Sequence, residues 1–350
     1  MIPILNFICK KRLYQTKLHR IPAISTALTA IMAMTITTGS LSAGPKRKSL
    51  ILAGPPASVS FPLAHIVATQ KLKDVADKVE FKIWMNPDQL RTLALDGKTG
   101  FMAMPSNVAA NLYNKDIAIQ PINISAWGIL YMLSRDKSRT SLKDYKNEEV
   151  VIPFRGDMPG ILFQILASKQ GLDYKKDFKI HYVSSPIDAM QLLLMRRARH
   201  VLLPEPAVSM ALRKSGSFPL KMVAPDLFRS MSFQQEWGNV FQRSAKIPQA
   251  GIVAVGDAAK DAQLKLKIEQ AYTESLNYCL KNTDACSKEI APYFEQLLPE
   301  AIADSLQVSG LESVRIDNAK TELEYFFGKL FEANPQLIGG RMPDAGFYRW

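Results

Sequence analysis

Four times along this chain a short, unbroken apolar run meets a turn rich in proline or small polar residues, and a helical pattern follows. Leu50–Ala53 runs into "GPPAS" and a helical stretch from Phe61 to Thr69. Phe101–Met104 runs into "PSN" and a stretch from Val108 to Tyr113. Val150–Ile152 runs into "PFRGDMPG" and "ILFQILASKQG", closed by Gly171. His200–Leu203 runs into "PEPA" and "VSMALRKSG", closed by Gly216. Apolar runs without alternation mark strands buried on both faces. Proline early in a helix and glycine just past its end is the expected asymmetry. The repeated unit predicts an α/β fold of mainly parallel sheets with helices on both faces. "VEFKIW" (79–84) and "FKIHYV" (178–183) alternate apolar and polar residues, as strands nearer a sheet edge do.

Two stretches break the series. "SAWGILYMLSR" (125–135) is strand-like with no helix after it, and "QAGIVAVGD" (249–257) is another. Two strand–helix units lie between them. Both runs are therefore expected to cross between two lobes. Residues 49–135 with 223–350 would form a discontinuous first lobe, and 136–222 a second lobe inserted into it. The chain from Asp257 onward reads as helical, with Ile268, Tyr272, Leu276 and Cys279 on one helix face.

The first 43 residues read as a secretory signal. Lys10, Lys11, Arg12, Lys17 and Arg20 precede an uncharged run from Ile21 to Thr38, and Ala43 offers a small residue for cleavage. The other reading is an uncleaved anchor, against which stands a run short and rich in Thr and Ala for a spanning helix of roughly 20 apolar residues. The net charge of +12 falls to +7 once those five basic residues leave, 39 basic against 32 acidic. That surface is mildly basic, and no nucleic-acid partner is expected. Cys9 leaves with the signal. Cys279 and Cys286 remain as an even pair in an oxidising compartment, where they either form a disulfide or stay as two buried thiols.

In open α/β sheets, ligands bind beyond the carboxyl ends of the strands, and each such end here opens a helix. A helix N-terminus favours an anion, so two lobes meeting there would suit a small polar or anionic molecule. Ser58, Ser106, Asn107 and Asn86 stand near helix starts, where they cap the helix, contact a ligand, or do both. Arg155 either grips an anionic group in a two-pronged contact or pairs with Asp157 or solvent. Trp127, beside Gly128, either stacks on a ligand or fills the core at the lobe junction. Glu205, held between Pro204 and Pro206, is expected at the cap position of the next helix. It either serves only as a rigid turn or faces the cleft and welcomes a cationic or hydrogen-bond-donating group. His65, His181 and His200 have no metal-ligand partner at useful spacing, and neither catalytic motifs nor a glycine-rich phosphate loop occur. No cofactor, no metal and no enzymatic activity are expected. The basic "MRRARH" (195–200) reads as a solvated helix end.

"MPSNVAANLYNK", "NISAWGILYMLSR", "VIPFRGDMPG", "VLLPEPAVSMALRK" and "IPQAGIVAV" occur in this order and spacing. Together they resemble the nitrate/sulfonate/taurine-type periplasmic substrate-binding proteins of ABC importers, from about Leu50 to Leu280. The resemblance implies a two-lobed, monomeric binding protein that closes on a small-molecule ligand and delivers it to an inner-membrane permease. It implies a cleft lined by Pro56, Ala57 and Ser58, by Asn86, by Ser106 and Asn107, by Trp127, by Arg155, Gly156 and Asp157, and by Glu205. At 195–200 the chain departs from the pattern, with Arg196, Arg197 and Arg199 in place of a glycine-and-acid turn. Enzymes of thiamin-pyrimidine and menaquinone biosynthesis share the architecture and form the rival reading. Sensing without transport is a third.

Overall fold

The computed structural model describes residues 46–223 and 226–350. The expected signal segment, 1–43, lies outside the described residues. Twelve strands are described: β1 (Arg47–Gly54), β2 (Ala76–Ile83), β3 (Thr99–Pro105), β4 (Ile119–Pro121), β5 (Asn123–Gly128), β6 (Leu130–Ser134), β7 (Glu149–Pro153), β8 (Lys179–Val183), β9 (His200–Pro204), β10 (Phe228–Ser232), β11 (Ala250–Val255) and β12 (Gly310–Arg315). The helices are α1 (Phe61–Ala68), α2 (Pro87–Leu95), α3 (Ser106–Asn114), α4 (Met158–Lys169), α5 (Pro186–Leu194), α6 (Ala207–Ser215), α7 (Leu220–Val223), α8 (Phe233–Phe241), α9 (Ala262–Lys281), α10 (Thr283–Ile290), α11 (Pro299–Val308) and α12 (Lys320–Ala333).

The strands form two sheets. The first runs β12-β5-β11-β3-β1-β2, with β4 also paired to β11, and the second runs β10-β6-β9-β7-β8. In each, the strand–helix units pair in parallel: β1 with β2 and β3, β7 with β8 and β9. The remaining strands extend these cores antiparallel. The four apolar runs are the inner strands. Leu52 and Ala53, Phe101 to Ala103, Val150 to Ile152 and Val201 to Leu203 are fully buried. The alternating segments β2 and β8 lie at sheet edges.

The outward crossing is a single residue, Ile129, between β5 in one sheet and β6 in the other. The return differs from expectation. "QAGIVAVGD" does not cross: β11 lies wholly in the first sheet, antiparallel to β3, and its apolar run reflects burial there. The chain returns through α8 and the segment after it. By strand pairing the second sheet takes in both β6 and β10, so it reaches beyond 136–222 on either side. The stretch after Asp257 is not all helical, because β12 pairs with β5 at the edge of the first sheet. Edge strands such as β10 and β12 are half-exposed, so they lack the continuous apolar run that marks the inner ones. Ile268, Tyr272, Leu276 and Cys279 do share the buried face of α9. Cys279 is disulfide-bonded to Cys286, with Cα atoms 5.1 Å apart, tying the end of α9 to α10. Among the described residues no helix is long and apolar enough to cross a membrane.

Candidate functional site

The carboxyl ends of β1, β2 and β3 face those of β7, β8 and β9 across a cavity of about 110 Å³. A single water needs roughly 10–15 Å³, so the space suits a small organic group. The first sheet supplies Pro55, Pro56 and Ala57 after β1, Trp84 and Met85 after β2, and Met104 and Pro105 at the end of β3. Gly54 makes the first turn possible, since a Cβ there would stand 2.2 Å from Ser60 Oγ. The second sheet supplies Phe154 and Asp157 to Pro159 after β7, Ser185 to Ile187 after β8, and Pro204 and Ala207 around the end of β9. Ile129 and Gln249 contribute from the junction.

The turn after β7 is the most strained of these. Phe154 adopts a left-handed φ of 60° and Gly156 one of 76°. Strain of this kind clusters where a loop is held for function. The turn is fixed by Phe154 N donating to Val183 O at 2.9 Å and Asp157 N donating to Phe154 O at 3.2 Å. Asp157 then caps α4, its Oδ1 accepting from Met158 N at 2.8 Å. Burial pushes the Asp157 carboxyl above its ordinary range, against the pull of the Met158 N–H and of Arg91. Asp157 lines the inner cavity and also borders two outer chambers. One, of about 520 Å³, is bordered by Asn86, Arg91, Arg155, Gly156 and Tyr182. The other, of about 180 Å³, is bordered by Arg91, Asn107, Lys115 and Gly156.

A helix N-terminus offers an anion its free N–H groups. Here many of those groups are removed or occupied. Pro87, Pro159 and Pro186 stand within the first two positions of α2, α4 and α5 and have no N–H. Asn86 Oδ1 accepts from Asp88 N and Gln89 N at 3.1 and 3.0 Å, and Ser185 Oγ accepts from Asp188 N at 3.1 Å. Glu205 Oε2 accepts from Ser209 N at 3.1 Å.

The structure thus brings Pro56, Ala57 and Asp157 together on the inner cavity, with Asn86, Asn107, Arg155 and Gly156 on the outer chambers. Arg155 is exposed and sits over the Tyr182 ring at 4.8 Å. The other expected residues are committed elsewhere. Ser58 Oγ bonds Ser309 Oγ at 3.0 Å, and Ser106 Oγ donates to Pro248 O at 2.6 Å. Trp127 is buried and its indole donates to Glu312 O at 2.9 Å. Glu205 differs most from expectation. It is fully buried, Pro206 occupies the cap position of α6, and its Oε1 accepts from Arg229 of β10. Burial raises its carboxyl and Arg229 opposes that rise. The sequence carries no sign of Arg229, which lies on a strand it did not reveal. It also missed Trp84, Met104 and Gln249. Of these, Trp84, directly after an alternating strand, and Met104, closing the run Phe101–Met104, occupy positions that strand-end reasoning reaches, and Gln249 does not.

This arrangement is the two-lobed fold of periplasmic binding proteins. An ABC transporter from Parabacteroides distasonis matches it with a TM-score of 0.67 over 86% of this chain and 98% of its own, at 20% identity. The periplasmic nitrate-binding protein NrtA from Synechocystis PCC 6803 matches with a TM-score of 0.63 over 83% of this chain and 82% of its own, at 13% identity. The alkanesulfonate-binding protein SsuA from Xanthomonas axonopodis pv. citri, bound to MOPS, matches with 0.61 over 84% and 95%, at 12% identity. No protein-family model and no curated protein matches the sequence.

Proposed function

We propose that this protein is the extracytoplasmic solute-binding component of an ABC importer. It closes two lobes on a small organic molecule, acts as a monomer and hands its ligand to a permease in the inner membrane. The observation that carries this reading is the cavity at facing strand ends, built jointly by loops of both sheets in a fold shared with periplasmic binding proteins. The basic and apolar N-terminal segment supports export to the periplasm.

Native mass spectrometry of the protein recovered from the periplasm tests this. A processed chain carrying a stoichiometric small molecule is the expected result. Full-length protein in the cytoplasm, free of ligand, would overturn the reading.

A further inference from the structure

The inner cavity is chemically one-sided. Trp84, Met85, Met104, Phe154, Met158 and Ile187 give it an apolar wall, and prolines from five of the six facing turns stiffen it. Methionines adapt to irregular shapes, and aromatic and proline walls hold their form. Among the described residues, no basic side chain lines this inner space. Arg155 stands on the outer chamber over Tyr182, Arg91 pairs with Asp88 at 3.3 Å, and Arg229 is held by Glu205. The starts of α2, α4 and α5 are blunted to an anion by prolines and by their own side-chain caps, whereas α3 begins with neither. The charged group at the wall is a carboxylate, Asp157, with Oδ1 on Met158 N. Gln249 Oε1 accepts from Ile129 N at 2.8 Å, which leaves its amide nitrogen for a neutral acceptor. An anion buried here would meet an acidic group and no lining cation, an arrangement that disfavours a second ionised group.

We propose that the cleft selects a mostly apolar molecule bearing one amine or comparable N–H donor, its body against Trp84 and the methionines and its donor on Asp157. This rests on the solute-binding reading and narrows it to a ligand class.

Two matched series test it by thermal shift and calorimetry on the mature protein: butylamine and hexylamine against butane-1-sulfonate and hexane-1-sulfonate, with hexan-1-ol as the neutral member. The amines should raise the melting temperature and the sulfonates should not. Hexylamine should bind roughly fifteenfold more tightly than butylamine, the effect of burying two methylenes. Asp157→Asn keeps a capping side chain. It should weaken hexylamine at least about tenfold, as loss of a charge-assisted bond does, and leave hexan-1-ol unchanged. Sulfonates binding as well as the amines, no gain with chain length, no binding by any amine, or an Asp157→Asn variant with unaltered hexylamine affinity would each overturn the proposal. An anion found on the periplasmic protein would sink the ligand class and leave the solute-binding reading standing. A ligand-free periplasmic protein that also responds to neither series would sink both.

Discussion

The turns after β7 and after β9 are built alike and do opposite things. Each ends a mostly buried strand, carries prolines and a carboxylate, and starts a helix. At the β9 turn the carboxylate of Glu205 is sealed in, held by Arg229 and by Ser209 N. At the β7 turn the carboxylate of Asp157 caps α4 from the rim of a cavity and, among the described residues, has no ion pair. One acid is consumed in holding the lobe together, and the other is left for a ligand. What separates them is a single arginine, supplied by β10. A carboxylate at a helix start is thus not by itself a binding group, and the decisive fact is what the neighbouring strand brings to it.

Breaking each turn should separate stability from binding. Glu205→Ala strands a largely buried guanidinium, and breaking such a pair costs about 3 kcal/mol. Urea unfolding should show that loss, while the folded variant keeps its ligand affinity. The double variant Glu205→Leu/Arg229→Met removes both charges and should recover most of the stability, since apolar replacement of a buried pair is often neutral or better. A weakened affinity in that double variant would show that Glu205 reads the ligand after all.

Asp157→Asn should do the reverse, weakening an amine ligand by at least about 1.4 kcal/mol with no loss of stability. The sign follows from burial, which raises the Asp157 carboxyl in the folded chain. An acid so raised is harder to ionise folded than unfolded. The wild type therefore loses stability as pH climbs through the carboxylate range, and an asparagine does not. Urea unfolding should find the variant at least as stable as wild type near about pH 7, with any advantage gone near about pH 3. A variant less stable at neutral pH would mean that Asp157 is held by a partner after all, as Glu205 is. The smallest effect belongs to Ser106→Ala. Losing its bond to Pro248 O should cost about 1 kcal/mol in urea unfolding. Affinity should not move, because the hydroxyl is turned away from the cavity.

The strand–helix units, the edge strands β2 and β8 and the outward crossing were legible because burial imposes a local pattern on each of them. The turn after β7 was legible as a strand-to-helix turn for the same reason, since the apolar run Val150–Ile152 stops there. The partner of Glu205 was not, because Arg229 lies in "FRSMS", whose half-exposed edge strand carries no clean period. Nor was the return crossing, since full burial of β11 produces the same apolar run that a crossing strand would. The apolar character of the cavity also escaped notice. Each loop, read singly, shows polar capping residues, and only the fold turns Trp84, Met104 and Phe154 toward one another while pointing Asn86 and Arg155 outward.

The central claim is that both lobes hold one ligand between the loop after β1 and the turn after β7. Hydrogen exchange with and without a small-molecule extract of the periplasm measures this directly. Amides at 57–61 and at 154–158 should slow together, to a common extent, and return together when the ligand is dialysed away. Protection of only one of the two segments, or of neither under a ligand seen bound by native mass spectrometry, would contradict it.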